Sequence, residues 1–472
     1  MTAPPERLRS VRSVGILVLL AALSFLLPGL GLHPVQREQE LRVALTARPM
    51  AEGESWLLPS YLGDLRIRKP PLMYWAVAAS YEVGGRTNSP GLARLPSALA
   101  GAGLVLLVYL SALRGLGRRR ALFAALVCAS NLIFLRQARL AETDILLAFF
   151  VALATICGHR GLQQGAALPW MALAGIASGL GFMTKGPAAL AIPPVIWLVL
   201  AIWNPRTGHR AVSPRGAVAR GALWLAITVL VAAPWYIYLA VHAGSLAQLR
   251  AELSATFSDE TAHPGSVFYY IYTLLHAFAP WSLLLPFALA TAWRAGRGRR
   301  AARFALVWFV VVFALLSLTP SKQIHYALLL VAPASLLTGW YLGRARSRFV
   351  WVSRRFFALV FAIWVVHLSA AFWLANREPR AALVGLLRAH GATLQSVDRV
   401  LLVGRHRGLI EFYAGRPILD MDSAREAWRH SRPGDLIVLN TRNAPLPEPP
   451  GPVHVLGEAG QGGLRSAIWL RE

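Results

Sequence analysis

Hydrophobic and polar positions along the chain alternate on a coarse scale: long apolar runs are separated by short stretches rich in arginine. Runs of roughly 17 to 25 predominantly apolar residues are the length a helix needs to cross hydrocarbon. Eleven such segments are read, at about 13–32, 93–113, 120–136, 144–160, 168–184, 187–203, 217–240, 268–292, 303–319, 323–342 and 350–375. A shorter run, 72–84, follows Pro70-Pro71 and is expected to be interfacial or re-entrant. After residue 375 the pattern changes. Charge, glycine and proline rise, and apolar runs shrink to strand length at 398–404, 416–421 and 435–440, with helical stretches at 411–415 and 422–431. The fold class read from this pattern is an α-helical polytopic membrane protein of about eleven spans, residues 1–375, followed by a small exoplasmic α/β domain, residues 376–472.

Composition supports a membrane reading. Of 472 residues 56% are hydrophobic and only 15% charged, below the quarter usual in soluble domains. The formal charge of +26 would suit a nucleic-acid partner in a soluble protein. Here the arginines punctuate apolar runs, so they read as topology charge, and no nucleic acid is expected. With the amino terminus and its Arg7, Arg9 and Arg12 in the cytoplasm, alternation puts Arg114–Arg120, Arg206–Arg220, Arg294–Arg303 and Arg344–Arg355 on the same side. Counting 72–84 as a span would divide those loops between the two sides. Eleven spans leave the tail outside, along with the long loops 33–71 and 241–267. The first helix lacks a small-residue cleavage site and is read as retained. Cys128 and Cys157 lie inside apolar runs, without CxxC spacing or nearby histidine, which argues against disulfide or zinc scaffolds.

The chemistry-bearing residues gather on the outer side. Only three of the 48 basic residues are lysines, Lys69, Lys185 and Lys322, and each falls in an outer-side connection. Asp144 opens the run ILLAFFVALA, at a depth where an ionisable group is costly and faces a partner or a watery cavity. The three lysines, Arg136 and Arg139 are the available partners.

Seven strings, in order, resemble one family: RKPPLMYW at 68–75, RLPSALAG at 94–101, LAETDILLAFF at 140–150, GLGFMTKGPAALAIP at 179–193, APWYIYLAVH at 233–242, HPGSVFYYIYTLLHAFAPWSLLLP at 263–286 and SLTPSKQIHYALLLVAP at 317–333. They resemble the bacterial membrane glycosyltransferases of the aminoarabinose transferase and protein O-mannosyltransferase superfamily, with the GT-C fold. The resemblance covers about residues 13–340. It implies transfer of a sugar from a polyprenyl-phosphate donor to a glycolipid, polysaccharide or protein acceptor at the outer face of the bacterial inner membrane. Cations would hold the donor phosphate and a carboxylate would deprotonate the acceptor hydroxyl. By resemblance Lys69, Tyr326 and Arg136 or Arg139 hold the phosphate, Lys322 and His325 line the same cavity, and Asp144 matches the family's acidic position. Lys185 matches the TKG motif, but a helix-connecting lysine also serves as an interfacial anchor, so it is left out of the site.

The family opens its first outer loop with Asp-Glu and, two residues on, Arg-Tyr-Ala. Here the string is Gln39-Glu40-Leu41-Arg42-Val43-Ala44. Gln39 cannot act as a base. Glu40, the catalytic candidate beside Asp144, or Glu38 replaces it; otherwise the base lies elsewhere, or activity has been lost or redirected. Asp259, Glu260 and His263 could bind a divalent cation, but a structural loop role is the reading taken. No metal and no cofactor beyond the lipid-linked donor are expected. Two other classes compete: a secondary transporter, which would show inverted repeats that are not visible here, and a carrier-lipid-binding protein without catalysis.

Overall fold

The computed structural model describes residues 5–35, 37–163, 168–203, 213–242, 265–295, 300–344 and 380–472, with five isolated positions between 358 and 369. The span expected at 350–375, and Asp259, Glu260 and His263, lie outside the described residues apart from those positions. The chain divides into two compact units. One comprises residues 1–28, 67–73 and 94–361; the other comprises 29–66, 74–93 and 362–472. The composition changes near 375, but packing joins the first long loop to the carboxy-terminal segment.

The first unit is helical. Five described helices are long and apolar enough to cross a membrane: Pro90–Leu116, Asp144–Gly161, Pro214–His242, Arg300–Leu318 and Ile324–Leu342. Ser13–Leu26 and Ala188–Trp203 are shorter apolar helices. Pro169–Lys185 packs against both Asp144–Gly161 and Pro214–His242. Its approach to the latter depends on Gly175 and Gly179, one turn apart. A Cβ on Gly175 would stand 2.8 Å from the Trp224 carbonyl oxygen, and one on Gly179 2.6 Å from Val231 Cβ. In a lipid environment such small-residue faces let backbones touch and gain dispersion energy. The Trp224 indole N–H then donates to Ser178 Oγ at 2.9 Å, and the Thr228 hydroxyl donates to the Gly175 carbonyl at 3.1 Å.

Two runs read as continuous spans are broken. The run 120–136 is two helices, Arg118–Ser130 and Leu132–Gln137, separated by Asn131. The buried Asn131 amide donates to the Val127 and Cys128 carbonyls at 3.0 and 2.8 Å, and its oxygen accepts from the Phe134 N–H at 3.1 Å. The run 268–292 is likewise divided, into Tyr269–Ala277, a 3-10 turn at Trp281–Leu283 and Leu285–Arg294. The breaks satisfy each other. The Leu132 N–H donates to the Ala279 carbonyl at 3.1 Å, and the Trp281 indole N–H donates to Ser130 Oγ at 3.0 Å. Backbone groups freed inside apolar surroundings need such partners, and hydropathy alone does not reveal where they are freed.

The second unit contains a hairpin, β1 (Ser60–Tyr61) with β2 (Asp64–Leu65), the helices Glu38–Ala51 and Arg407–Ala414, and a five-stranded sheet. The strands are β3 (Val400–Val403), β4 (Leu419–Met421), β5 (Leu436–Arg442), β6 (Val453–Gln461) and β7 (Leu464–Arg471), in the order β4-β3-β5-β7-β6. β3 runs parallel to β4 and β5, while β7 is antiparallel to β5 and β6. β3 and the first half of β5 are uninterrupted apolar runs, as strands covered on both faces must be. Leu401, Ile437, Leu439, Ala467 and Trp469 form their core with Ala427. The β6–β7 hairpin is absent from the sequence expectation because β6 is polar and contains glycine, and Arg465 and Ser466 cut the apolar run of β7 to four residues.

Candidate active site

Asp144 begins its helix, where a carboxylate meets the positive end of the helix dipole. Lys185 ends the neighbouring antiparallel helix. Gly186, with a φ of +87° that favours glycine, stops that helix directly after the lysine, its N–H donating to the Phe182 carbonyl at 2.8 Å. The two charges therefore arrive at the same end. Lys185 Nζ lies 2.6 Å from Asp144 Oδ1, and both side chains are largely enclosed, 17% and 6% exposed. His325 Nε2 stands 3.8 Å from the same oxygen. Lys185 also sits over the Tyr326 ring, 4.8 Å from its centroid, while the His325 and Tyr326 rings meet edge to face at 4.8 Å. Lys69, half-buried, acts electrostatically on Asp144. Two lysines and a histidine thus share one carboxylate, and the cluster is net positive.

The sequence expectations divide against this geometry. Asp144, Lys69, His325 and Tyr326 come together. Lys185, left out of the site, is the hydrogen-bonded partner of Asp144; the TKG motif at the end of an apolar helix was the signal for it. Lys322 has a different set of partners. It is buried, and its ammonium donates to the carbonyls of Leu316, Ser317 and Thr319 at the end of Arg300–Leu318. Its three N–H donors are turned to helix-end carbonyls, so this lysine closes a helix. Arg139 has partners of the same kind. Its two terminal nitrogens each donate at 2.8 Å, to the Leu26 and Pro28 carbonyls at the end of the first helix. Arg136 is exposed on Leu132–Gln137. Among the described residues no group of three His, Cys, Asp or Glu side chains is spaced to hold a metal.

Glu40 belongs to the second unit. It is buried, 1% exposed, in the first turn of Glu38–Ala51. Glu38 is exposed and accepts from Arg42 Nε at 3.1 Å and from the Tyr61 hydroxyl at 3.4 Å. Gln39 is half-buried between them.

A family model described as dolichyl-phosphate-mannose-protein mannosyltransferase matches residues 68–238, a stretch that holds Lys69, Asp144 and Lys185. An undecaprenyl phosphate-alpha-4-amino-4-deoxy-L-arabinose arabinosyl transferase of Sodalis glossinidius is 31% identical over 394 residues, covering 79% of this chain and 68% of that relative. The chain belongs to the aminoarabinose transferase and protein O-mannosyltransferase superfamily of GT-C membrane glycosyltransferases. Another relative of the same description, from Pseudomonas fluorescens, is 31% identical over 334 residues. That match covers 69% of this chain but 58% of the relative, so the chain spans less than two thirds of its length. The crystal structure of ArnT from Cupriavidus metallidurans bound to undecaprenyl phosphate superposes with a TM-score of 0.74. It covers 96% of this chain and 97% of that one at 19% identity, a likeness of fold. In this member of the superfamily the cluster of Lys69, Asp144, Lys185, His325 and Tyr326 is assembled from four separate segments of the chain.

Proposed function

We propose that the protein transfers a sugar from a polyprenyl-phosphate-linked donor to a hydroxyl of lipid A, another glycoconjugate, a polysaccharide or a protein, at the outer face of the bacterial inner membrane. The observation that carries this reading is the net-positive cluster of Lys69, Lys185, His325 and Tyr326 around Asp144. The acceptor oxygen attacks the anomeric carbon as its proton passes to a carboxylate, and the carbon–oxygen bond to phosphate breaks with its electron pair leaving on the phosphate. Charge grows on the leaving group, so ammonium and phenol donors in a water-poor site lower the barrier. Asp144, 2.6 Å from Lys185, serves as the counter-ion that orients the lysine. Glu40, or Glu38 beside it, is the proposed base. Arg136, on the helix preceding Asp144, completes the cationic approach. The reaction needs no cofactor beyond its lipid-linked donor.

The relatives named for undecaprenyl phosphate-alpha-4-amino-4-deoxy-L-arabinose supply the first donor to try. The full protein, given that donor and lipid A, is expected to move the sugar. Glu40→Gln keeps size and hydrogen bonding but removes proton acceptance, so turnover should vanish with undecaprenyl phosphate binding intact. Gln39 favours a second reading, carrier-lipid binding without transfer. Binding of undecaprenyl phosphate with no sugar released from any lipid-linked donor would establish it.

The proposed topology has eleven spans, a cytoplasmic amino terminus and an exoplasmic α/β domain after 375. Reporter fusions near residue 298 and after residue 376 should report opposite compartments, and agreement between them would end the eleven-span arrangement.

A further inference from the structure

We propose that Arg48 is a positioning residue through which the carboxy-terminal sheet domain sets the placement of the helix carrying Glu38 and Glu40. The inference rests on the proposed transfer reaction and adds a role for the carboxy-terminal domain in it. Arg48 lies in the last turn of Glu38–Ala51 and is 4% exposed. Its guanidinium is bidentate: Nη1 donates to the Glu411 carbonyl and Nη2 to the Phe412 carbonyl, each at 2.9 Å. Both carbonyls belong to the final turn of Arg407–Ala414, where the helix dipole is negative; the Glu411 oxygen also accepts from the Gly415 N–H at 3.1 Å. The cation also lies over the Phe412 ring at 5.8 Å. A buried guanidinium is costly unless so compensated, and its rigid planar fork fixes both donor directions at once, which the rotating donors of an ammonium on a flexible stem do not.

The same eight-residue helix holds the other end of the segment. The Val35 N–H, three residues before Glu38, donates to the buried Tyr413 hydroxyl at 2.9 Å. Between the two anchors the helices touch closely: a Cβ on Gly408 would stand 3.3 Å from Leu45 Cδ1 and 3.0 Å from the Tyr61 hydroxyl, which itself donates to Glu38. Residues 411–413 thus clasp the segment 35–48 at both ends. Glu40 and Arg48 are separated by about 12 Å of rigid helix, so releasing the clasp tilts the carboxylate. The sugar chemistry tolerates little of that; a displacement near 1 Å costs roughly 100-fold.

The test uses full-length protein and the variants Arg48→Lys and Tyr413→Phe, with Arg425→Ala on the exposed face of the sheet domain as control. Hydrogen–deuterium exchange of peptides covering 37–47 is expected to rise at least tenfold in Arg48→Lys and less in Tyr413→Phe, while exchange of β3 and β5 stays unchanged. For transfer, kcat should fall roughly 100-fold in Arg48→Lys with the donor KM within threefold of wild type. Unchanged exchange over 37–47 overturns the proposal, as does a loss shared equally with the control or carried by KM alone. If wild-type protein moves no sugar, the functional reading fails while the exchange comparison still decides whether the clasp holds the helix. Should Arg48→Lys fail to fold, Gly408→Leu wedges the helices apart from the other side and is read the same way.

Discussion

Lys185 and Lys322 occupy similar places: each is a rare lysine following or ending an apolar helix, within a few residues of glycine or proline. Their partners differ. Lys185 meets the Asp144 carboxylate and an aromatic face, and keeps 17% of its side chain accessible. Lys322 is buried and directs its ammonium to three backbone carbonyls. Both ammonium groups lie near a tyrosine ring, Lys322 at 5.9 Å from the Tyr270 centroid, so the difference is the carboxylate: in the proposed function, a charge facing a charge is where an anionic ligand enters. A charge consumed by helix-end carbonyls is part of the scaffold. The second arrangement recurs in Arg139 on the Leu26 and Pro28 carbonyls, Arg220 on Gly161 and Gln163, and Arg48 on Glu411 and Phe412. Orphan carbonyls in apolar surroundings must find donors, and arginine supplies two or more from one side chain. Part of the arginine surplus, read first as topology charge, is thus backbone satisfaction at helix ends.

Breaking the first arrangement should have the largest effect. Lys185→Ala removes the hydrogen-bonded partner of a buried carboxylate and leaves it only His325 and Lys69, at a cost on the order of 3 kcal/mol of stability. Pairing it with Asp144→Asn should restore most of the thermal midpoint without restoring transfer. A double variant as unstable as the single one would show that the pair is not what holds these helix ends together.

Lys69 tests whether the cluster serves a ligand. Lys69→Ala should cost about 2 to 4 kcal/mol of transition-state stabilisation, since a charge-assisted phosphate contact is lost in a water-poor site. In kcat/KM that is roughly a 30- to 800-fold drop. Arg66, whose guanidinium lies over the Tyr61 ring at 5.4 Å, provides the comparison: Arg66→Ala should leave kcat/KM within a few-fold. Equal losses at the two positions would remove Lys69 from the site.

The second arrangement should give the smallest catalytic effect. Lys322→Met keeps the stem and removes the donors, leaving buried carbonyls unsatisfied at about 1 to 3 kcal/mol of stability. Its kcat at permissive temperature should stay within a few-fold of wild type. A large kcat loss with an unchanged thermal midpoint would return Lys322 to the donor site and erase the distinction between the two lysines.

Much of this was legible before any coordinates. Run lengths and arginine spacing make a polytopic helical protein unavoidable, because a segment's transfer energy is a sum over its own residues. The seven motif strings brought Lys69, Asp144, His325 and Tyr326 together as one candidate site. Partner choice was not legible. Lys185 reads as an anchor until its helix packs alongside Asp144–Gly161, where a Cβ on Gly181 would stand 3.2 Å from Phe150 Cβ. Lys322 and Arg139 read as phosphate ligands until the carbonyls that take their donors come into place. Asn131 and the turn at Trp281–Leu283 interrupt two runs whose hydropathy is continuous, and the breaks are tolerated because the Asn131 side chain and hydrogen bonds between the two breaks satisfy freed groups. Arg48 shows the same limit: its partners lie more than 360 residues away in the chain. Composition and periodicity are local and additive, so the sequence by itself determined where apolar helices lie and which charges are rare. Which donor meets which acceptor depends on how distant helix ends coincide in space, and only the tertiary structure decided that.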